Sequence, residues 1–325
     1  MRVEDEMADE KKKKKKEKEA SITPKITLKE IKRQKTLLIW AAVFFIYGVV
    51  FCYLPLGGWL MAFQKYKPKT GILHSKFVGL DKFRTLFSDP QFFRVFRNTL
   101  AMGTLNLITT FIMAILFAIL LNEIRGNLMK KTVQTISYLP HFLSWIIVTG
   151  ILHDALSSSG SVNELLISLG FIDTYIPFFS IEKYFWPIVA FANCWKETGW
   201  NAIVYLAAIT SIDPSLYEAA SIDGGGRWAK IKYITLPSIR PTIMILLLIN
   251  IGNVINAGFE IQYLLGNSLI VEVSETIDIY VLRWGISQMD YSLGTAAGIF
   301  KSLISIVLIF TGNSLAKAFG EERLF

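Results

Sequence analysis

Cysteine, histidine and charge are all scarce in this chain. The two cysteines, Cys52 and Cys194, both fall in apolar stretches and have no partner at metal-ligand spacing, so they read as packing residues. The three histidines, His74, His141 and His153, show no metal spacing either. No GxxxxGK[ST] loop occurs, and Gly224–Gly226 lacks the lysine that would hold a phosphate, so no ATP hydrolysis and no cofactor are expected in this chain. A GxSxG nucleophile motif is also missing, which leaves no catalytic constellation and argues against an enzyme. Charged residues make up 18% against 52% hydrophobic and 13% aromatic, which excludes an ordinary soluble protein of 325 residues.

What is there instead is a series of long apolar runs. A membrane span needs about 20 mostly apolar residues, and six windows qualify: Leu37–Phe63, Thr99–Leu121, Thr132–Leu152, Tyr184–Thr210, Thr242–Leu265 and Leu293–Ala316. No alternating period-2 pattern accompanies them, so the expected class is an all-α membrane protein and not a β-barrel. The first 36 residues have no apolar core or small-residue cleavage site, which leaves the first span as the anchor.

Orientation follows from the basic residues. With the N-terminus cytoplasmic, the inner segments collect the lysine-rich tail, then Arg125, Lys130 and Lys131, then Arg227, Lys230, Lys232 and Arg240, then Lys317 and Arg323. Both termini are therefore expected inside, in a multi-pass membrane protein. One outer segment dissents: Lys65, Lys67, Lys69, Lys76, Lys82, Arg84, Arg94 and Arg97 all lie between the first two spans.

The expected organisation is a disordered basic tail over 1–36, a membrane domain over 37–320 and a short cytoplasmic end over 321–325. The tail motif DEKKKKKKEKEA lacks the apolar residues that would offset the entropy of folding. It is read as a solvated, topology-fixing segment or a contact to anionic lipid, not as a nucleic-acid site. Pro55, Gly57 and Gly58 should kink or end the first span. Phe77, Leu80, Phe83, Leu86 and Phe87 recur at helical spacing and predict an amphipathic outer helix, with a second short one over Ser161–Gly170.

Between the fourth and fifth windows lies a polar hairpin, 213–237. Asp213 before Pro214 reads as a helix cap with proline at the first position, Gly224–Gly226 permits a reversal, and a second helix from about Trp228 to Leu236 should end at Pro237. Ala219, Ala220 and Ser221 would let another backbone approach, and Glu218 offers a carboxylate to a basic partner.

Glu218-Ala219-Ala220, Gly224, Ile234, Leu236 and Pro237 match the EAA…G…I-LP loop, and the chain thereby resembles bacterial ATP-binding-cassette importer permeases. FVGLDKFRTLF, RNTL, YLPHFLS and the Asn-rich fifth window look like the six-helix, maltose-permease-like members of the carbohydrate-uptake branch, over roughly residues 37–320. The resemblance implies that the hairpin seats in an ATP-hydrolysing subunit, with Glu218 on a basic residue there. It further implies a homologous second permease, two ATPase subunits that bind ATP and Mg, and an extracytoplasmic solute-binding protein.

The residues allow an independent substrate argument, since polar groups within a bilayer usually face the bundle interior. At about 100° per residue, Asn250, Asn253, Asn256 and Glu260 fall on one stripe of the fifth window, Asn193, Lys196, Glu197 and Trp200 on one of the fourth, and Tyr138, His141, Phe142 and Trp145 on one of the third. Amides and aromatic faces suit a sugar; asparagines acting only as glue between helices are the alternative. Lys301 and Arg283 are expected to be neutralised by Asp278 or Asp290, while Gly294, Ala297 and Gly298 would permit close helix contacts. With Lys196 and Arg283, the basic outer segment would favour an acidic oligosaccharide, such as a uronate oligomer, or lie on lipid headgroups. An ion-coupled secondary sugar carrier is the competing function; it should show an internal repeat, which is not visible.

Overall fold

The computed structural model describes residues 28–318. Most of the charged tail, the 321–325 end and Arg323 lie outside the described residues. The last part of the expected tail is not structureless, because Leu28 and Ile31 sit among good helix formers in helix Leu28–Arg33.

The described residues form two compact units, divided after Gly58. In the first, Lys35–Gly48 is α-helical and Val49–Tyr53 follows as a π-turn, with no side chain buried. Trp40 and Phe44, then Tyr47 and Phe51, pair four residues apart at ring distances of 6.4 and 4.8 Å. A helix apolar on every side needs lipid or other helices around it.

The second unit is helical apart from the two-residue strands Gln64–Lys65 and Lys76–Phe77, which pair antiparallel with Lys65 opposite Lys76. Its centre is the packing of Pro90–Glu123 against Glu182–Thr210. Near the hairpin, Ala114, Ala118, Leu121, Ala202, Tyr205, Ile209 and Ile239 form one core. At the far end, Phe92, Tyr280, Leu293 and Ala296 form another, and Phe92 and Tyr280 meet edge to face at 5.7 Å. Small residues bring the helix backbones close there, as expected where lipid supplies no hydrophobic drive between helices.

Among the described residues four helices are long and apolar enough to cross a membrane: Lys35–Phe63, Pro90–Glu123, Arg227–Gly252 and Tyr291–Ser314. The pair Asn127–Phe142 and Trp145–Ser168, bent by 100°, makes a fifth if it counts as one span. Glu182–Thr210 has the length, 29 residues, but carries Glu182, Lys183, Lys196 and Glu197.

Two windows depart from the sequence reading. The third is not one helix: α-helix stops at Tyr138, Leu139–Phe142 is a 3-10 turn around Pro140, and a new helix starts at Trp145 under a Ser144 cap. Tyr138, His141, Phe142 and Trp145 therefore do not form a helical stripe. The fifth starts earlier and ends earlier than expected, because the second hairpin helix does not stop at Pro237. It passes from Arg227–Lys230 through a π-turn, Ile231–Thr235, into Leu236–Gly252, and the widened turn accommodates the missing proline N–H. After Gly252 the chain leaves the helix, Gly258 takes φ +93°, and only a short helix, Glu260–Leu265, follows.

The amphipathic outer helix is Asp81–Ser88, shorter than the apolar pattern suggested, since Phe77 belongs to a strand. The second short helix expected from the sequence is Ser161–Ser168.

Candidate functional site

A broken helix frees carbonyl oxygens that cannot be left bare in an apolar setting. Here both breaks rest on a glycine of a neighbouring helix. A Cβ on Gly199 would lie 2.1 Å from the Ser137 carbonyl oxygen, and one on Gly103 would lie 1.8 Å from that of Val254. Side chains satisfy further acceptors: the Asn106 amide donates to Ala257 O at 3.3 Å, joined there by Gln262, and Ser305 donates to Gly252 O at 2.7 Å.

At the 139–144 break the sealing group is a buried lysine. Lys196 Nζ donates to His141 O at 2.6 Å and pairs with Glu197 at 3.2 Å. It also lies 5.3 Å from the centre of the Trp145 ring. Glu197 in turn bonds His141 Nδ1 at 2.8 Å, and the His141 ring stacks on Trp200 at 4.4 Å with planes 2° apart. Lys196, Trp200 and Trp145 thus brace the break.

Glu197 also faces a cavity of about 230 Å³ walled by three helices. Asn106 comes from Pro90–Glu123, Asn201 from Glu182–Thr210, and Asn250, Asn253 and Asn256 from the end of the fifth helix and its break. The Asn106 Oδ1 is buried and has no hydrogen-bond partner. The asparagines that were placed on one helical stripe meet here by a different route: the break folds Asn253 and Asn256 back beside Asn250. Glu260 and Asn193 do not line the cavity, and the Asn193 amide is spent on Val189 O in its own helix. Sequence reasoning missed Asn106 and Asn201. Both stand in the second and fourth windows, and Asn201 directly follows Trp200, a position outside the arc chosen for that helix.

The hairpin is built as its residues dictate. The Asp213 carboxylate accepts from Ser215 N at 2.9 Å, which holds it below the usual carboxylate range. Helix Pro214–Ile222 ends in a left-handed Gly224 at φ +80°, with Gly225 N donating to Ala220 O at 2.7 Å. That is a Schellman closure; only Gly224 of the three glycines uses positive φ. Glu218 and Ala219 are exposed, as are Leu216, Ile222 and Trp228, whereas Ala220, Ile234 and Leu236 are half-buried and Pro237 is exposed.

Several other charges are paired. Lys301 meets Asp278 at 2.7 Å as expected, but Arg283 takes Glu275 at 2.9 Å and Asp290 takes Lys82 at 2.7 Å. Arg94 reaches Glu272 and the buried Glu275. The basic segment between Lys65 and Arg97 is therefore partly neutralised within the chain. Gly294 makes the close approach expected of it, to Gly285, whereas Gly298 has open space.

With this geometry in hand, comparison with known proteins is specific. Residues 110–322 match the family described as binding-protein-dependent transport system inner membrane component. The chain is 43% identical to Protein LplB of Bacillus subtilis (strain 168) over 296 residues, covering 91% of this chain and 92% of that one. It is 44% identical over 299 residues to the polygalacturonan/rhamnogalacturonan transport system permease protein YteP of the same organism, covering 92% of each. A bacterial alginate ABC transporter, solved in complex with alginate pentasaccharide-bound periplasmic protein, contains a chain that superposes with a TM-score of 0.83 at 39% identity, covering 91% of this chain and 99% of that one. The chain therefore belongs to this family of binding-protein-dependent transport components, and it is an ATP-binding-cassette importer permease.

Proposed function

We propose that this chain forms half of the translocation path for oligosaccharides, acidic uronate-type ones in particular. The observation that carries the reading is the amide-walled cavity of Asn106, Asn201, Asn250, Asn253 and Asn256. Amides both donate to and accept from hydroxyls, and their neutrality suits a solute that must leave again. At about 230 Å³ the cavity is smaller than the usual 300–1,000 Å³ of a ligand site. A homologous second permease would supply the opposite wall.

Acidic cargo is supported by the relatives just named and by the outer segment. Lys65, Lys67, Lys69, Lys76 and Arg84 have no carboxylate partner among the described residues, and Lys65 faces Lys76 across the strand pair. Like charges directly opposite destabilise a pair, so an anion passing there is welcomed.

We read the chain as six spans, adding the bent pair and Glu182–Thr210 to the four apolar helices, with both termini cytoplasmic. The support is the excess of Lys and Arg in the segments this places inside. Two ATPase subunits, which bind ATP and Mg, would grip the hairpin through Glu218, Ala219 and Ala220, and an extracytoplasmic binding protein would deliver solute. This chain itself performs no catalysis.

The test is uptake of galacturonate oligomers into vesicles holding the full assembly. Asn250→Leu, Asn253→Leu and Asn256→Leu should each cut uptake while leaving the ATPase subunits bound. Uptake against a gradient by this chain alone would overturn the importer reading in favour of an ion-coupled carrier.

A further inference from the structure

The hairpin is held from within by a closed ring of hydrogen bonds that does not involve Glu218. Ser221 Oγ donates to Tyr217 O at 2.7 Å and accepts from Lys230 Nζ at 2.6 Å. One turn away, Thr235 Oγ1 donates to Lys230 O at 3.4 Å. The Tyr217 hydroxyl meets Thr235 Oγ1 at 2.9 Å, a hydrogen bond in which either group can donate. Two struts, Ser221–Lys230 and Tyr217–Thr235, thus tie helix Pro214–Ile222 to the foot of the fifth helix.

The spacing shows why the fifth helix begins as it does. Tyr217 and Ser221 are four residues apart on an α-helix and share a face. Lys230 and Thr235 are five apart; on an α-helix they would point about 140° from each other. The π-turn Ile231–Thr235, with Leu236 N bonded back to Ile231 O, sets them one above the other. An uncommon helix type is present where it aligns both struts, and π-turns recur at functional positions. Thr235 is buried, which shields the lower strut from competing water.

We infer that Tyr217 and Thr235 are positioning residues: with the π-turn they make the hairpin a stiff arm that delivers displacement of the docking helix to the helix bearing Asn250. The inference rests on the importer reading, since it supposes an ATPase that moves the hairpin.

Two measurements test it separately. With Cys52 and Cys194 replaced, nitroxide labels at Ser215 and Ile249 in the full-length protein should give a narrow distance distribution. Tyr217→Phe and Thr235→Val should broaden it, and Thr235→Ser should restore it. In the reconstituted assembly the same two substitutions should leave the ATPase subunits bound yet lower galacturonate oligomers imported per ATP by about three- to tenfold, the worth of one hydrogen bond. The double variant should lose no more than either single one. An unchanged distance distribution in both variants overturns the arm, as does loss of the ATPase in step with loss of import. Absence of any ATPase from the wild-type assembly would instead overturn the importer reading, and the label distances would still judge the ring.

Discussion

Glu218 stands exposed on the hairpin with no ion-pair partner among the described residues. Reversing its charge should cost nothing within this chain and much at a basic socket. Glu218→Arg is expected to abolish co-purification of an ATPase without lowering the yield of folded permease; retention of the ATPase would show that the grip lies elsewhere. Gly224 is the opposite case, a residue needed for its own backbone. An L-residue at φ +80° costs about 1–2 kcal/mol, so Gly224→Ala should speed amide exchange across Asp223–Lys230 by roughly five- to thirtyfold. Asp213 adds a pH term. Its carboxyl is held low by the Ser215 N–H, so its contribution is present above the ordinary aspartate range and lost only as pH falls through the lowered value. The hairpin should therefore be indifferent to pH near neutrality and loosen in strong acid, which exchange at graded pH would show.

The two helix breaks carry their own consequences. Lys196 is buried with Glu197, His141 and a freed carbonyl around it. Lys196→Met would leave the His141 carbonyl without its donor and take one of two partners from Glu197, which keeps His141 Nδ1; a buried acceptor left unmade costs about 1–3 kcal/mol. Thermal unfolding in detergent should show that loss; full stability of Lys196→Met would mean the lysine is not the seal. This scale also shows where the sequence stops being readable. The first helix of the hairpin and its turn were legible because caps, proline and glycine act on their immediate neighbours, whereas the run of the second helix through Pro237 was not. The breaks were not, since a span keeps its hydropathy when a few residues leave the helix. The groups that make the breaks affordable, Gly103, Gly199, Asn106 and Lys196, lie far along the chain from the carbonyls they serve. Arithmetic on an ideal helix therefore puts Asn250, Asn253 and Asn256 together, as the structure does by another route, and leaves out Asn201.

For the whole molecule, the positive segment between Lys65 and Arg97, read as facing outward, sets the expectation. Import of galacturonate oligomers should exceed that of neutral oligosaccharides of equal length and weaken as salt rises, because exposed charges more than about 8 Å apart are screened at physiological ionic strength. Replacing Lys65, Lys67, Lys69 and Lys76 by glutamine should erase the salt dependence more than the affinity of the cavity. No preference and no salt effect would remove the argument for acidic cargo and leave the rest of the reading intact.

The contact between Gly285 and Gly294 has a mechanical corollary. A Cβ on Gly294 would sit 2.7 Å from the Gly285 Cα, so the π-turn Val281–Ser287 and the start of Tyr291–Ala318 touch backbone to backbone. Joined so, and tied again by Lys301 on Asp278, they are expected to tilt together. A swing of the last helix would then reach Glu275, which Arg283 of the π-turn holds, and through it Arg94 near the start of Pro90–Glu123.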